Sequence, residues 1–160
     1  MLFWKFFKIV YLLEKIIQNK KDCQFNNYFM PTYNWYSQII KPSWSPPAWL
    51  FGPVWTVLYT IIAASFGTVF YKIFTKQIPG IVALPFILNL IFNFAFTPIQ
   101  FGLKNNFLAS IDILLVLVTL IWAMLVIWPH IRWVVYANIP YLLWVTFATC
   151  LQLTITYLNK

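Results

Sequence analysis

At 160 residues, 62% of them hydrophobic, 21% aromatic and only 9% charged, the chain lacks the polar surface of a water-soluble domain, in which charged residues average about 25%. Its net charge of +8 lies almost wholly between apolar blocks, at Lys20, Lys21, Lys41, Lys72, Lys76, Lys104, Arg132 and Lys160. That scatter fits helix ends touching anionic headgroups and argues against nucleic acid as a partner, because a nucleic-acid face gathers its cations on one surface.

Residues 1 to 19, M-L-F-W-K-F-F-K-I-V-Y-L-L-E-K-I-I-Q-N, are apolar but carry Lys5, Lys8, Glu14 and Lys15. The Phe, Leu, Ile and Val side chains favour insertion by about 3–6 kcal/mol, against about 10–14 kcal/mol for four charges at full central cost. Snorkelling lowers that penalty, and Lys5, Lys8 and Lys15 share one arc of a helix. The segment therefore fits either a first spanning helix within the bundle or an amphipathic helix on the membrane surface. It is too charged for a cleaved signal peptide, and no small-residue cleavage site follows. Residues 20 to 34 read as a polar loop, not a second domain.

From Trp35 to Tyr59 the chain reads W-Y-S-Q-I-I-K-P-S-W-S-P-P-A-W-L-F-G-P-V-W-T-V-L-Y. Ser45 is placed as an N-cap with Pro46 as the first helical residue, so S-P-P marks the entry into a second helix. Gly52 and Pro53 permit close approach or a bend, and Trp55 and Tyr59 share one face at i, i+4. Trp44 and Trp49 suit the interfacial aromatic belt.

Four blocks, residues 49 to 71, 81 to 101, 107 to 128 and 133 to 158, reach the roughly 20 residues that span a bilayer core and contain one charged side chain, Asp112. With residues 1 to 19 as the first span, the expectation is an all-α integral membrane bundle of five transmembrane helices, residues 1 to 160 forming one domain. Short links at 72–79, 102–106 and 129–132 make sequential helices antiparallel neighbours. Basic residues divide evenly between the two sides and set no orientation. In the third helix Asn89 and Asn93 lie i, i+4 in an apolar segment, as interhelical hydrogen-bond glue or as groups orienting a ligand. Asp112 falls in the first two turns of the fourth helix, where the positive helix end stabilises a carboxylate. In the fifth, Pro140, Trp144, Ala148 and Gln152 follow a four-residue repeat.

No catalytic or metal-binding residue is proposed. The single histidine, His130, sits in a loop beside Arg132, with no Ser-His-Asp triad, metal-ligand cluster or glycine-rich phosphate loop. Cys23 and Cys150 show neither C-x-x-C nor zinc spacing and read as ordinary small residues.

The tryptophan-proline stretch at 35–59, N-F-A-F-T-P-I-Q-F-G at 93–102, S-I-D-I-L-L-V at 110–116 and P-Y-L-L-W-V-T-F-A-T at 140–149 resemble, in order and spacing, the TspO family of tryptophan-rich membrane proteins. The recognisable core is residues 35 to 160, with residues 1 to 34 divergent; Phe94 and Phe96 stand where the family often has Trp, and Leu108 where its mitochondrial members have Trp. The resemblance implies a five-helix bundle, commonly a homodimer, whose cavity takes a tetrapyrrole (protoporphyrin IX or haem) as ligand, with no required cofactor. Carried over by residue, the pocket falls on Trp55 and Trp144 as facing walls, Tyr59 and Phe96 as further lining, Asn93 as a polar contact and Ala148 as the small residue admitting the ligand. The implied role is porphyrin sensing, sequestration or transport; light-dependent porphyrin degradation and a ligand-free membrane scaffold are the alternatives. A bacterial inner membrane is the expected location, with the mitochondrial outer membrane as alternative.

Overall fold

The computed structural model describes residues 38–159; the expected first helix at 1 to 19 and the 20-to-34 connection lie outside those residues. Helix α1 (Ala48–Phe74) begins later than a Ser45 cap would place it. Ser45 donates its backbone N–H to the Pro42 carbonyl at 3.0 Å, closing a turn, and Pro47 is extended at φ −63, ψ 143. A proline disfavours the α conformation in the residue before it, so with Pro46 and Pro47 in tandem the helix starts after the second ring. At its far end Gln77 N–H reaches Lys72 O and Lys76 N–H reaches Ile73 O, both at 2.9 Å. Lys76, at φ 58, takes the left-handed position that glycine normally fills in this helix stop.

Helix α2 (Ala83–Thr97) follows a 3₁₀ turn at Gly80–Val82 and runs into a π turn at Pro98–Gly102, closed by Leu103 N–H to Pro98 O at 3.0 Å. Helix α3 (Asn106–Ile127) is capped by Asn105, whose Oδ1 accepts the Leu108 N–H at 3.0 Å. The last expected span, 133 to 158, is two helices: α4 (Arg132–Ala137) and α5 (Ile139–Leu158). Pro140 explains the break, since in a continuous helix it removes a hydrogen bond and its ring strikes the carbonyl four residues earlier. Asn138 fills the gap. Its backbone N–H reaches Val134 O and Val135 O, and its Nδ2 donates to Val134 O at 2.8 Å and Ser65 Oγ at 2.9 Å.

Four helical stretches, Trp49–Phe74, Gly80–Gly102, Asn106–Ile127 and Ile139–Leu158, are long and apolar enough to cross a bilayer. Helix α3 packs most extensively, against α2 and α5, while α1 lies along α2 and α4. The interior face of α1 is Leu58, Ile62, Phe66 and Val69; α3 supplies Val116, Leu120, Ala123 and Ile127, and α5 supplies Tyr141 and Val145. The outer faces are apolar too: Val118 is 59% and Leu125 68% exposed. Lipid tails solvate such side chains as well as a protein core does, so association rests on close packing and interhelical hydrogen bonds.

The segment before α1 lies along α5. Asn159, just past the end of α5, accepts Ile40 N–H at Oδ1 (3.0 Å) and donates Nδ2 to Ile40 O (2.9 Å). Farther along, Trp44 meets Phe147 edge-on at 5.8 Å. At about 1 kcal/mol for each of the two bonds, Asn159→Ala should speed amide exchange across residues 38–47 roughly thirtyfold with helix content unchanged. Unaltered exchange there would mean that contacts other than Asn159, such as Trp44 on Phe147, hold the segment down.

Candidate ligand groove and polar seam

Between α1 and α5 lies a groove of about 580 Å³, lined by Pro53, Val54, Val57 and Leu58 on one side and Pro140, Leu143, Trp144 and Phe147 on the other. Phe51 stands edge-on to Trp144 at 5.7 Å, and Trp144 is tilted against Phe147 at 5.7 Å. Three aromatic rings thus brace one wall. The Trp144 Nε1–H is buried with no hydrogen-bond partner among the described residues. Ala148 follows Phe147 and is half-buried. The four-residue repeat from Pro140 to Gln152 drifts by about 40° per step around the helix. Pro140 therefore sits on the groove while Gln152 points into the core.

The remaining candidates gather elsewhere. Trp55 stacks on Tyr59 at 5.2 Å, and Tyr59 lies parallel to Phe94 at 6.3 Å. At 100° per residue, Trp55 and Tyr59 fall on the flank of α1 roughly opposite Pro53 and Val57, and neither lines the groove. Of the two indoles, Trp144 lines this groove and Trp55 does not. Phe96 is half-buried on α2.

Tyr59 opens a chain of hydrogen bonds through the bundle. Its hydroxyl donates to Asn93 Oδ1 at 3.0 Å, and Asn93 Nδ2 donates to the Tyr141 hydroxyl at 2.7 Å. Tyr141 in turn donates to Asn89 Oδ1 at 3.2 Å, and Asn89 Nδ2 reaches Val116 O at 2.9 Å and Thr119 Oγ1 at 3.2 Å. Four helices are tied at one level, with both ends of the Asn89 and Asn93 amides bonded to protein. Tyr141 and Thr119 escape a reading by sequence. Tyr141 is one residue off the Pro140–Trp144 stripe, and a tyrosine near a helix start reads as part of the interfacial belt.

A second cluster joins the helix ends nearer Asn159. Gln152 Nε2 donates to Gln100 Oε1 at 3.1 Å and Gln100 Nε2 to Asn106 Oδ1 at 3.2 Å. Ser110 and Thr156 hydroxyls lie 2.6 Å apart, one donating to the other, and the hydroxyl that accepts donates to Asn106 O. Asp112 does not serve as a helix cap, a role Asn105 fills. It lies inside α3, 5% exposed, where the field of the helix end has faded. On the segment preceding α1, partial burial draws the Lys41 ammonium below the ordinary lysine range. Among the described residues no three His, Cys, Asp or Glu side chains stand together as a metal site.

The groove offers flat apolar walls, and the seam is a rigid polar strut. A search against known proteins finds that the chain is 39% identical to the tryptophan-rich protein TspO of Bacillus cereus over 125 residues, 78% of this chain and 80% of the relative. It is 31% identical to the TspO of Chlorobaculum tepidum, covering 81% and 82% of the two chains. Similarity extends to the human translocator protein, 33% identical over 65% of this chain and 69% of that one. The family model described as the TspO/MBR family matches residues 22–158, so this integral membrane protein belongs to the TspO/MBR family.

Proposed function

We propose that the chain binds a tetrapyrrole, protoporphyrin IX or haem, in the groove between α1 and α5, for porphyrin sensing, sequestration or transport. The observation that carries this reading is the ring-braced wall of Trp144, Phe51 and Phe147 beside about 580 Å³ of apolar space. Ligand pockets commonly measure about 300–1,000 Å³, and a flat aromatic ligand gains from both burial and offset stacking. Trp144 and Ala148 contact the macrocycle directly. Trp55 and Tyr59, through the Tyr59–Asn93–Tyr141 bonds, set the spacing of α1 and α5 that keeps the groove open, and Phe96 stands behind them on α2. Lys41, whose depressed ammonium reflects a partly desolvated site, belongs to the segment that runs from Asn159 to Phe147 beside the groove. Bacterial relatives favour an inner-membrane location, and a homodimer is the proposed assembly.

Titration of the detergent-solubilised protein with protoporphyrin IX should quench tryptophan fluorescence saturably. Val57→Trp places an indole in the groove from the α1 side and should abolish most of that saturable quenching while leaving the helix content unchanged. A variant that titrates like the parent would move the site off this groove. Linear, non-saturating quenching of a well-folded parent would discard tetrapyrrole binding itself.

A further inference from the structure

Asp112 is the single acidic residue among those described, and it lies within a membrane span. Along α3 it falls between the two polar clusters, after Asn106 and Ser110 and before Val116 and Thr119. The pairing of Asn89 with Val116 and Thr119 sets the antiparallel register of α2 and α3, which brings Asp112 level with Asn93 and Phe96. Its Oδ2 is buried and has no hydrogen-bond partner among the described residues. Among the described residues, the buried side chains of the neighbouring helices are neutral. Helix α2 brings Asn89 and Asn93 and the π turn after it Gln100, and α5 brings Tyr141, Thr149 and Gln152. The titratable groups of the seam are the Tyr59 and Tyr141 phenols. Lys72, Lys76, Lys104, His130 and Arg132 all lie in the connections or at helix ends.

A carboxylate inside a bilayer is costly unless a cation or several donors meet it, and intramembrane acids that lack such partners commonly serve proton pathways. We propose that Asp112 is a proton-exchange site linking the two polar clusters. It holds a proton on its carboxyl while the seam is closed as described here. It releases that proton to water when the seam rearranges and turns an amide or hydroxyl donor toward Oδ2. Water enters and leaves from the Asn106 end, about 9 Å along the helix axis from Asp112. The consequence is that seam packing, and with it the spacing of α2, α3 and α5, responds to pH. This inference does not depend on tetrapyrrole binding, and its test uses no ligand.

The full chain in lipid nanodiscs is examined by pH-difference infrared spectroscopy, with hydrogen exchange of the Asn89–Asn93 and Tyr141–Gln152 peptides followed over the same pH range. The parent should show a protonated-carboxyl band that disappears as pH rises, together with faster seam exchange at the same midpoint. Asp112→Asn should lose the share of the band that Asp112 contributes, leaving that of Glu14, Asp22 and the C-terminus, and should exchange independently of pH. Asp112→Glu retains a titrating carboxyl and should restore both signals at a shifted midpoint, which guards against an Asn variant that fails to fold. A parent without the band, a band undiminished in Asp112→Asn, or a titrating band with pH-independent exchange would each overturn the proposal.

Discussion

Tyr141→Ala should destabilise the bundle by about 3 kcal/mol, whereas Tyr141→Phe should cost about 1 kcal/mol. Tyr141 is fully buried, and its ring is among the largest enclosed side chains, packed where α5 meets α1, α2 and α3. In lipid the transfer term for an apolar ring nearly vanishes, so the loss on truncation is chiefly the packing contacts around the cavity left behind. The hydroxyl gives two further bonds, accepting from Asn93 and donating to Asn89. Intramembrane bonds of this kind average about 0.6 kcal/mol, because the separated helices also find partners. Unfolding of each variant by increasing dodecyl sulfate in mixed micelles, read by circular dichroism, separates the two contributions. Equal losses in Phe and Ala would assign the stabilisation to the hydroxyl; an Ala variant as stable as the parent would refute the buried packing role.

Trp144→Ala should weaken protoporphyrin IX binding at least about tenfold, while Trp55→Ala should change it by less than about threefold. The difference follows from where each indole stands. Trp144 is part of the groove wall, and its removal deletes both stacking area and the brace between Phe51 and Phe147. Trp55 rests on Tyr59 across the helix from Pro53 and Val57, so its loss should appear first as reduced stability. Porphyrin absorbance titrations serve better than quenching here, since each variant removes a fluorophore. A larger effect at Trp55 than at Trp144 would transfer the site to the Tyr59–Phe94 flank.

Much of the architecture is legible in the residues because a bilayer imposes so simple a demand. Blocks of about twenty apolar residues must be helices, since every backbone group has to be bonded within its own segment. The four later spans, their short connections and the isolated Asp112 follow from that requirement alone. Proline was the harder signal. Counting apolar residues merges 133 to 158 into one span, although Pro140 already marks the break at Asn138. The tandem Pro46 and Pro47 likewise move the start of α1 to Ala48.

Side-chain partners are a different matter. Asn89 and Asn93 announce themselves as amides in an apolar helix, yet what they bond is settled by neighbours 27 to 52 residues away in the chain, at Val116, Thr119 and Tyr141. Trp55 and Trp144 are equally prominent as letters. That Trp144 lines the groove while Trp55 stacks on Tyr59 depends on the rotation of α1 about its axis, which is set by packing Leu58, Ile62, Phe66 and Val69 inward. The sequence by itself determined the membrane, the helices and the family, because hydrophobic length and motif order are properties of the chain. Only the tertiary structure decided which rings line the groove and where Asp112 stands between two polar clusters, because helix rotation and register depend on contacts among residues far apart in the chain.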